Sequence, residues 1–95
     1  MNDKTKAIKY KDLTFYFKYN YEPVSQSYLP HIFIRHCIDC KTAIEAYLNR
    51  TDEIYNTEKE RYEAYSEDHN LELYYFYIKN NKNKIYIIMA AYPRQ

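Results

Sequence analysis

The chain has 95 residues, 46% of them hydrophobic, with 14 tyrosines, no glycine and a formal net charge of +1. A chain of this length closes one core, so residues 1–95 are expected to form a single domain, and so many aromatic residues exclude a disordered chain. The lack of glycine excludes the P-loop, the dinucleotide fingerprint and the nucleophile elbow, which all need close backbone approach. Tight turns are then expected to rely on Asn, Asp or Pro, or to avoid positive φ.

The first nine residues are polar and lysine-rich, a loose arm or the start of a strand. Residues 13–21 alternate strictly, with Leu13, Phe15, Phe17 and Tyr19 on one side, which marks a strand. Residues 22–30 hold two prolines and two serines and read as a loop. Residues 31–38 read as a second strand, with Ile32, Ile34 and Ile38 on one face. Asp39 is a good helix N-cap. Thr42 with Glu45, and Thr57 with Glu60, match the capping-box spacing. Ile44, Tyr47, Leu48, Ile54, Tyr55, Tyr62 and Tyr65 then follow a helical stripe, as one long helix or as two broken near residues 49–52.

Residues 71–79 and 84–92 are two β-rich runs around the loop Asn80, Asn81, Lys82, Asn83, and predict a β-hairpin. The fold class expected is therefore α+β. A four-stranded, largely antiparallel sheet in the order β-β-α-β-β carries one long or two consecutive helices on one face.

The hairpin is apolar on both sides. If Lys79 pairs with Lys84, then Tyr77 faces Tyr86, Tyr75 faces Ile88, Leu73 faces Ala90 and Leu71 faces Tyr92, while Ile78, Phe76 and Tyr74 join Ile85, Ile87 and Met89 on the side packed against helix. A sheet covered on one side should be polar on the other. The candidate binding face is thus Tyr16, Arg35, Tyr75, Tyr77, Lys79, Lys84, Tyr86 and Tyr92, with Lys18, Phe33 and Lys82 nearby. These tyrosines serve equally as cover for a thin core, with hydroxyls in water.

Charge is uneven: residues 39–72 carry ten carboxylates, and both flanks are basic. Asp52, Glu53, Glu60, Glu63 and Glu67 form a second candidate surface, an acidic helix face. It is either a mimic of a nucleic-acid backbone or an ordinary solvated surface.

Cys37 and Cys40, with His36 or His69, are the one set of soft metal ligands, but no second cysteine pair completes a zinc site, and two ordinary thiols account for them better. A redox pair is the other use of that spacing. His31, His36 and His69 are candidate acid–base groups for a small metal-independent ribonuclease toxin.

No cofactor is implied and no enzyme is expected. The leading expectation is a homodimeric binding protein that occupies a surface on a larger protein or ribonucleoprotein complex. In size and make-up it is of the type of inhibitors carried by viruses or mobile elements, such as anti-CRISPR proteins, without residue correspondence. Single-stranded nucleic-acid binding on the aromatic face is the alternative. No apolar run is long enough to span a membrane, and no signal-peptide core follows Met1, so a cytoplasmic location is expected, that of a host cell included.

Overall fold

The computed structural model describes residues 3–87 and the backbone of 92–93. In chain order the elements are β1 Lys4–Tyr10, β2 Leu13–Glu22, β3 Ser27–Pro30, α1 His31–His36, α2 Cys40–Leu48, β4 Asp52–Asn56, β5 Arg61–Ser66, β6 Leu71–Ile78, β7 Asn81–Ile87 and β8 Tyr92–Pro93. They form one sheet ordered β1-β2-β7-β6-β5-β4, with β3 also paired to β2 and β8 to β6. Among the described residues only the β2–β7 pair is parallel. The expected four-stranded β-β-α-β-β arrangement with a long helix is therefore incorrect: the described residues are mostly strand, with two short helices.

Three local misreadings account for the difference. The run 31–38, expected as a strand, forms α1 over His31–His36 and then leaves the helix at Cys37. Pro30 at its N-cap carries a φ of −56°, already suited to a helix start. Cys37 ends the helix in the left-handed region, donating its N–H to the Phe33 carbonyl at 2.9 Å, while the Ile38 N–H reaches back to Ile32. Ile32 is buried, and that single anchor fixes the short helix.

The helical stripe through 54–65 is the second misreading. Asp39 does cap α2, accepting the Thr42 N–H at 2.8 Å; hydrogen bonding from the Thr42 side chain, then from that N–H, holds its carboxyl below the usual range. The helix ends at Leu48 with Asn49 as its C-cap, at the start of the break expected at 49–52. Beyond it, β4 and β5 form a hairpin in which Tyr55 faces Tyr62 and Glu53 faces Ala64. The turn at 57–60 is signalled by Asn56, whose side chain accepts the Lys59 N–H at 3.1 Å.

The third concerns register. The hairpin expected over 71–92 is present in the described residues as β6 and β7, but its turn is Lys79-Asn80, both at positive φ, the pattern of a two-residue type I′ turn. A bulge beyond Tyr77 then changes the pairing, so Tyr77 faces Ile85, Phe76 faces Tyr86 and Tyr75 faces Ile87. Relative to the Lys79–Lys84 pairing, the partners of Tyr75, Phe76 and Tyr77 slip by one residue, which exchanges faces on one strand, while Ile78 beside the turn pairs with Asn81. The pairings expected for Ile88, Met89 and Ala90 lie outside the described residues.

Turns without glycine do not avoid positive φ. Lys11, Gln26, Cys37, Glu60, Asn70, Lys79 and Asn80 all adopt it, five of them neither Asn nor Asp. Gln26, Glu60 and Asn70 each close a four-residue turn. Glu22 supports the first of these by accepting the Ser25 and Val24 N–H groups at 2.8 and 2.9 Å, which keeps its carboxyl low.

The core lies between the sheet and α2. Phe15 and Phe17 of β2, Ile85 and Ile87 of β7, Leu71, Leu73 and Tyr75 of β6, and Ala64 of β5 are buried against Ala43, Ile44, Ala46 and Tyr47. The Tyr47 ring meets Phe15 and Tyr75 edge-on, at 5.5 and 5.1 Å. α1 fills one corner, where His31 Nδ1 lies 2.6 Å from the Asn20 side-chain oxygen. Both outer edges are charged, β1 with Lys4, Lys6 and Lys9 and β4 with Asp52 and Glu53, which guards free edges against pairing. No helix among the described residues is long and apolar enough to cross a membrane.

Candidate binding face

Strand residues alternate between faces, so burial on one side names what points the other way. With Phe15, Ile85, Tyr75 and Tyr62 on the core side, the opposite side carries Tyr16, Tyr86, Phe76 and Arg61. The register sets Tyr16, Tyr86 and Phe76 in one row across β2, β7 and β6, continued by Ala7 on β1; the neighbouring pairs Tyr62–Tyr75 and Asn56–Arg61 extend the row's line to Arg61 on β5 and Asn56 on β4. The rings lie nearly parallel: Tyr16 and Tyr86 have centroids 6.4 Å apart at 13°, and Tyr86 and Phe76 5.1 Å apart at 18°. All three are half-buried by one another and no described helix covers them.

The neighbouring row carries Thr5 and Lys18 at one end and Tyr74, Glu63 and Ile54 at the other. The Arg61 guanidinium lies 3.9 Å above the Tyr74 ring and pairs with Glu63 at 2.9 Å. That stacking and pairing hold a planar cation flat on the face. Lys18 pairs with Asp3 at 3.1 Å. The Asn20 amide and Lys18 together lower the Asp3 carboxyl.

Charge is graded across this face. Lys9, Lys18 and Lys84 stand on β1, β2 and β7, whereas Asp52, Glu63 and Glu72 stand on β4, β5 and β6. The three carboxylates line one cleft together with Tyr65 and Tyr74. At the opposite end Lys18, His31, Ile34 and Arg35 line another.

Of the sequence-derived aromatic face, Tyr16, Lys84 and Tyr86 are therefore in place, and Arg35 stands at the margin beside Lys18. Tyr75 and Tyr77 are not: Tyr75 is wholly buried in the core, and Tyr77 packs against that core. Lys79 lies in the hairpin turn. The Tyr92 backbone pairs with Glu72, and its side chain is outside the described residues. Phe76, Tyr74 and Arg61 were missed; strict alternation from a buried Tyr75 would have found the first two.

The acidic helix face does not exist. Asp52 and Glu63 lie on the uncovered sheet face, Glu53 reaches Arg50 on the helical side at 3.1 Å, and Glu60 and Glu67 sit in turns. Carboxylates thus share a face with the aromatic row instead of opposing it.

The soft ligands are not brought together. Cys37 is exposed and Cys40 buried, both free thiols; the Tyr19 hydroxyl lies 3.8 Å from Cys40, and burial pushes that thiol up. No group of three or more metal-ligating residues converges among the described residues. His69 lies 3.1 Å from Ser66 Oγ, far along the chain from His31 on Asn20. Burial, then Lys18 and Arg35, push His31 down, so it is neutral near pH 7. Comparison of the chain with protein-family models, with curated proteins and with solved structures found no match, so these residues stand on their own geometry.

Proposed function

We propose that this chain is a non-enzymatic binding protein that works as a homodimer and acts by occupying a surface on a larger macromolecular complex. The observation that carries this reading is the uncovered sheet face, where Tyr16, Tyr86 and Phe76 form a stacked row beside Tyr74 and Arg61. Tyrosine, phenylalanine and arginine are enriched in protein interfaces: the two aromatic residues offer a large contact area with few torsions to immobilise, and the arginine guanidinium stacks flat on rings. Removing water from the exposed parts of these rings is favourable by about 25 cal/mol per Å² of apolar surface. A pair joined through this face leaves the helical side to meet the larger complex.

The test is joint replacement of Tyr16, Phe76 and Tyr86 by alanine, read by solution mass and by what co-purifies from cells. Self-association and partner capture should both be lost, with circular dichroism unchanged. A native chain that is monomeric at high micromolar concentration, and captures the same partners with and without the rings, contradicts the reading.

Single-stranded nucleic acid is the second reading, favoured by parallel rings flanked by Lys18 and Lys84. It stands second because Asp52, Glu63 and Glu72 share the face and repel phosphate. A salt-dependent gel shift with mixed oligonucleotides decides it: no shift at low salt ends this alternative.

A further inference from the structure

We infer that the uncovered face receives a second copy of this chain about a two-fold axis that runs parallel to the strands and passes between β7 and β6. This rests on the reading of that face as a homodimer interface and adds the contacts that would form it. Two copies meeting through one sheet face are related by an axis lying in the plane between them. If that axis crosses the strands, each strand lies on its own copy, and the end bearing Lys9, Lys18 and Lys84 meets the same basic end. If it runs along the strands, their order reverses: β1 lies over β4, β2 over β5 and β7 over β6.

The residues fit the second arrangement. Reversing the row Ala7, Tyr16, Tyr86, Phe76, Arg61, Asn56 on itself sets Tyr86 of each copy over Phe76 of the other. The same operation sets Tyr16 over Arg61, a ring against a guanidinium. In the neighbouring row it sets Lys18 opposite Glu63. At the corner, the cleft lined by Lys18 and Arg35 approaches the cleft lined by Asp52, Glu63 and Glu72. One operation therefore satisfies both the aromatic centre and the two charged ends.

Lys18 and Glu63 have partners within the chain, Asp3 and Arg61. Lys18 and Asp3 are both substantially exposed, and such pairs are worth little, so Lys18 can turn to a carboxylate on the second copy at small cost. At about 4.8 Å per strand the six strands are about 24 Å across, and with strands about 20 Å long the flat footprint is about 500 Å². That is the small end of a specific interface and suits a dimer of micromolar strength.

The experiment uses the full chain and two variants, Lys18→Glu and Glu63→Lys, with dimer dissociation measured by sedimentation equilibrium and folding checked by circular dichroism. Each variant alone places like charges at both symmetry-related contacts and should dimerise at least about tenfold more weakly. Mixed in equal amounts, the two variants form a mixed pair with both contacts complementary, and affinity should return to within about threefold of the native chain. A mixture no tighter than either variant alone overturns the axis. If the joint Tyr16, Phe76 and Tyr86 replacement still abolishes the native dimer in that case, the face stands and only its orientation is wrong. A native chain that never dimerises removes both.

Discussion

The two faces of the sheet use the same residue type for opposite ends. On the covered face, Tyr75 is sealed among Tyr47 and Tyr77, both edge-on, and Tyr62, which stacks on it at 14°, and its hydroxyl has no hydrogen-bond partner among the described residues. It behaves as an oversized phenylalanine. On the uncovered face, Tyr16 and Tyr86 lie flat against each other and against Phe76, half in water. A tyrosine count measures aromatic area. Only the neighbours on the opposite side of the strand say whether that area closes a core or waits for a partner.

Truncation should separate the faces most widely. Tyr75→Ala empties a fully buried site and is expected to cost about 3–5 kcal/mol in urea denaturation. Phe76→Ala, one residue on, should cost about 1 kcal/mol of monomer stability yet abolish self-association. Equal stability losses at the two positions would erase the distinction between them.

Alkali should act on the covered side. Burial, with Cys40 alongside, pushes the Tyr19 hydroxyl up to about 12, and burial raises Tyr47 as well. Both hold their protons more tightly folded than unfolded. Their contribution is complete below the unfolded value of 10.0 and is lost as pH climbs through the folded one. The urea midpoint should therefore fall between pH 10 and 12, and Tyr47→Phe should flatten that fall.

Smaller gains test the same ideas from the other direction. Tyr75→Phe removes a buried hydroxyl without a partner and should leave stability unchanged or raise it by up to about 1 kcal/mol. Lys11→Gly and Glu60→Gly relieve positive φ at 55° and 52° and should each add about 0.5–1 kcal/mol, with no effect on dimerisation. A loss in either glycine variant would mean that the side chain contributes more than the backbone strain costs.

Much of this was legible in the residues where a strong period met clear punctuation. The alternation of Leu13, Phe15, Phe17 and Tyr19, the Asp39 cap and the existence of the 71–92 hairpin all follow from local rules. The rest turned on tertiary context. Tyr62 and Tyr65 fit a helical stripe as readily as they fit opposite faces of β5, and the 57–60 turn offers neither Gly nor Pro as a marker. His31 to His36 is β-branched and aromatic, yet the chain leaving Pro30 coils so that Ile32 fills a corner of the core. The aromatic face was foreseen as a property of the hairpin and assigned to the wrong side of β6, because a bulge beside Lys79 and Asn80 shifts the register by one. Asp52 and Glu63 cannot be placed on that face while β4 and β5 fit a helical stripe, whereas Glu72 follows from alternation along β6.

The most direct measurement is the mass of the native chain and of Phe76→Ala by sedimentation equilibrium across a micromolar concentration series. The native chain should rise to twice its chain mass, while Phe76→Ala stays at one with an unchanged circular dichroism spectrum. A native chain that stays monomeric throughout, or a Phe76→Ala chain that still pairs, would contradict the claim that the uncovered aromatic row is where two copies meet.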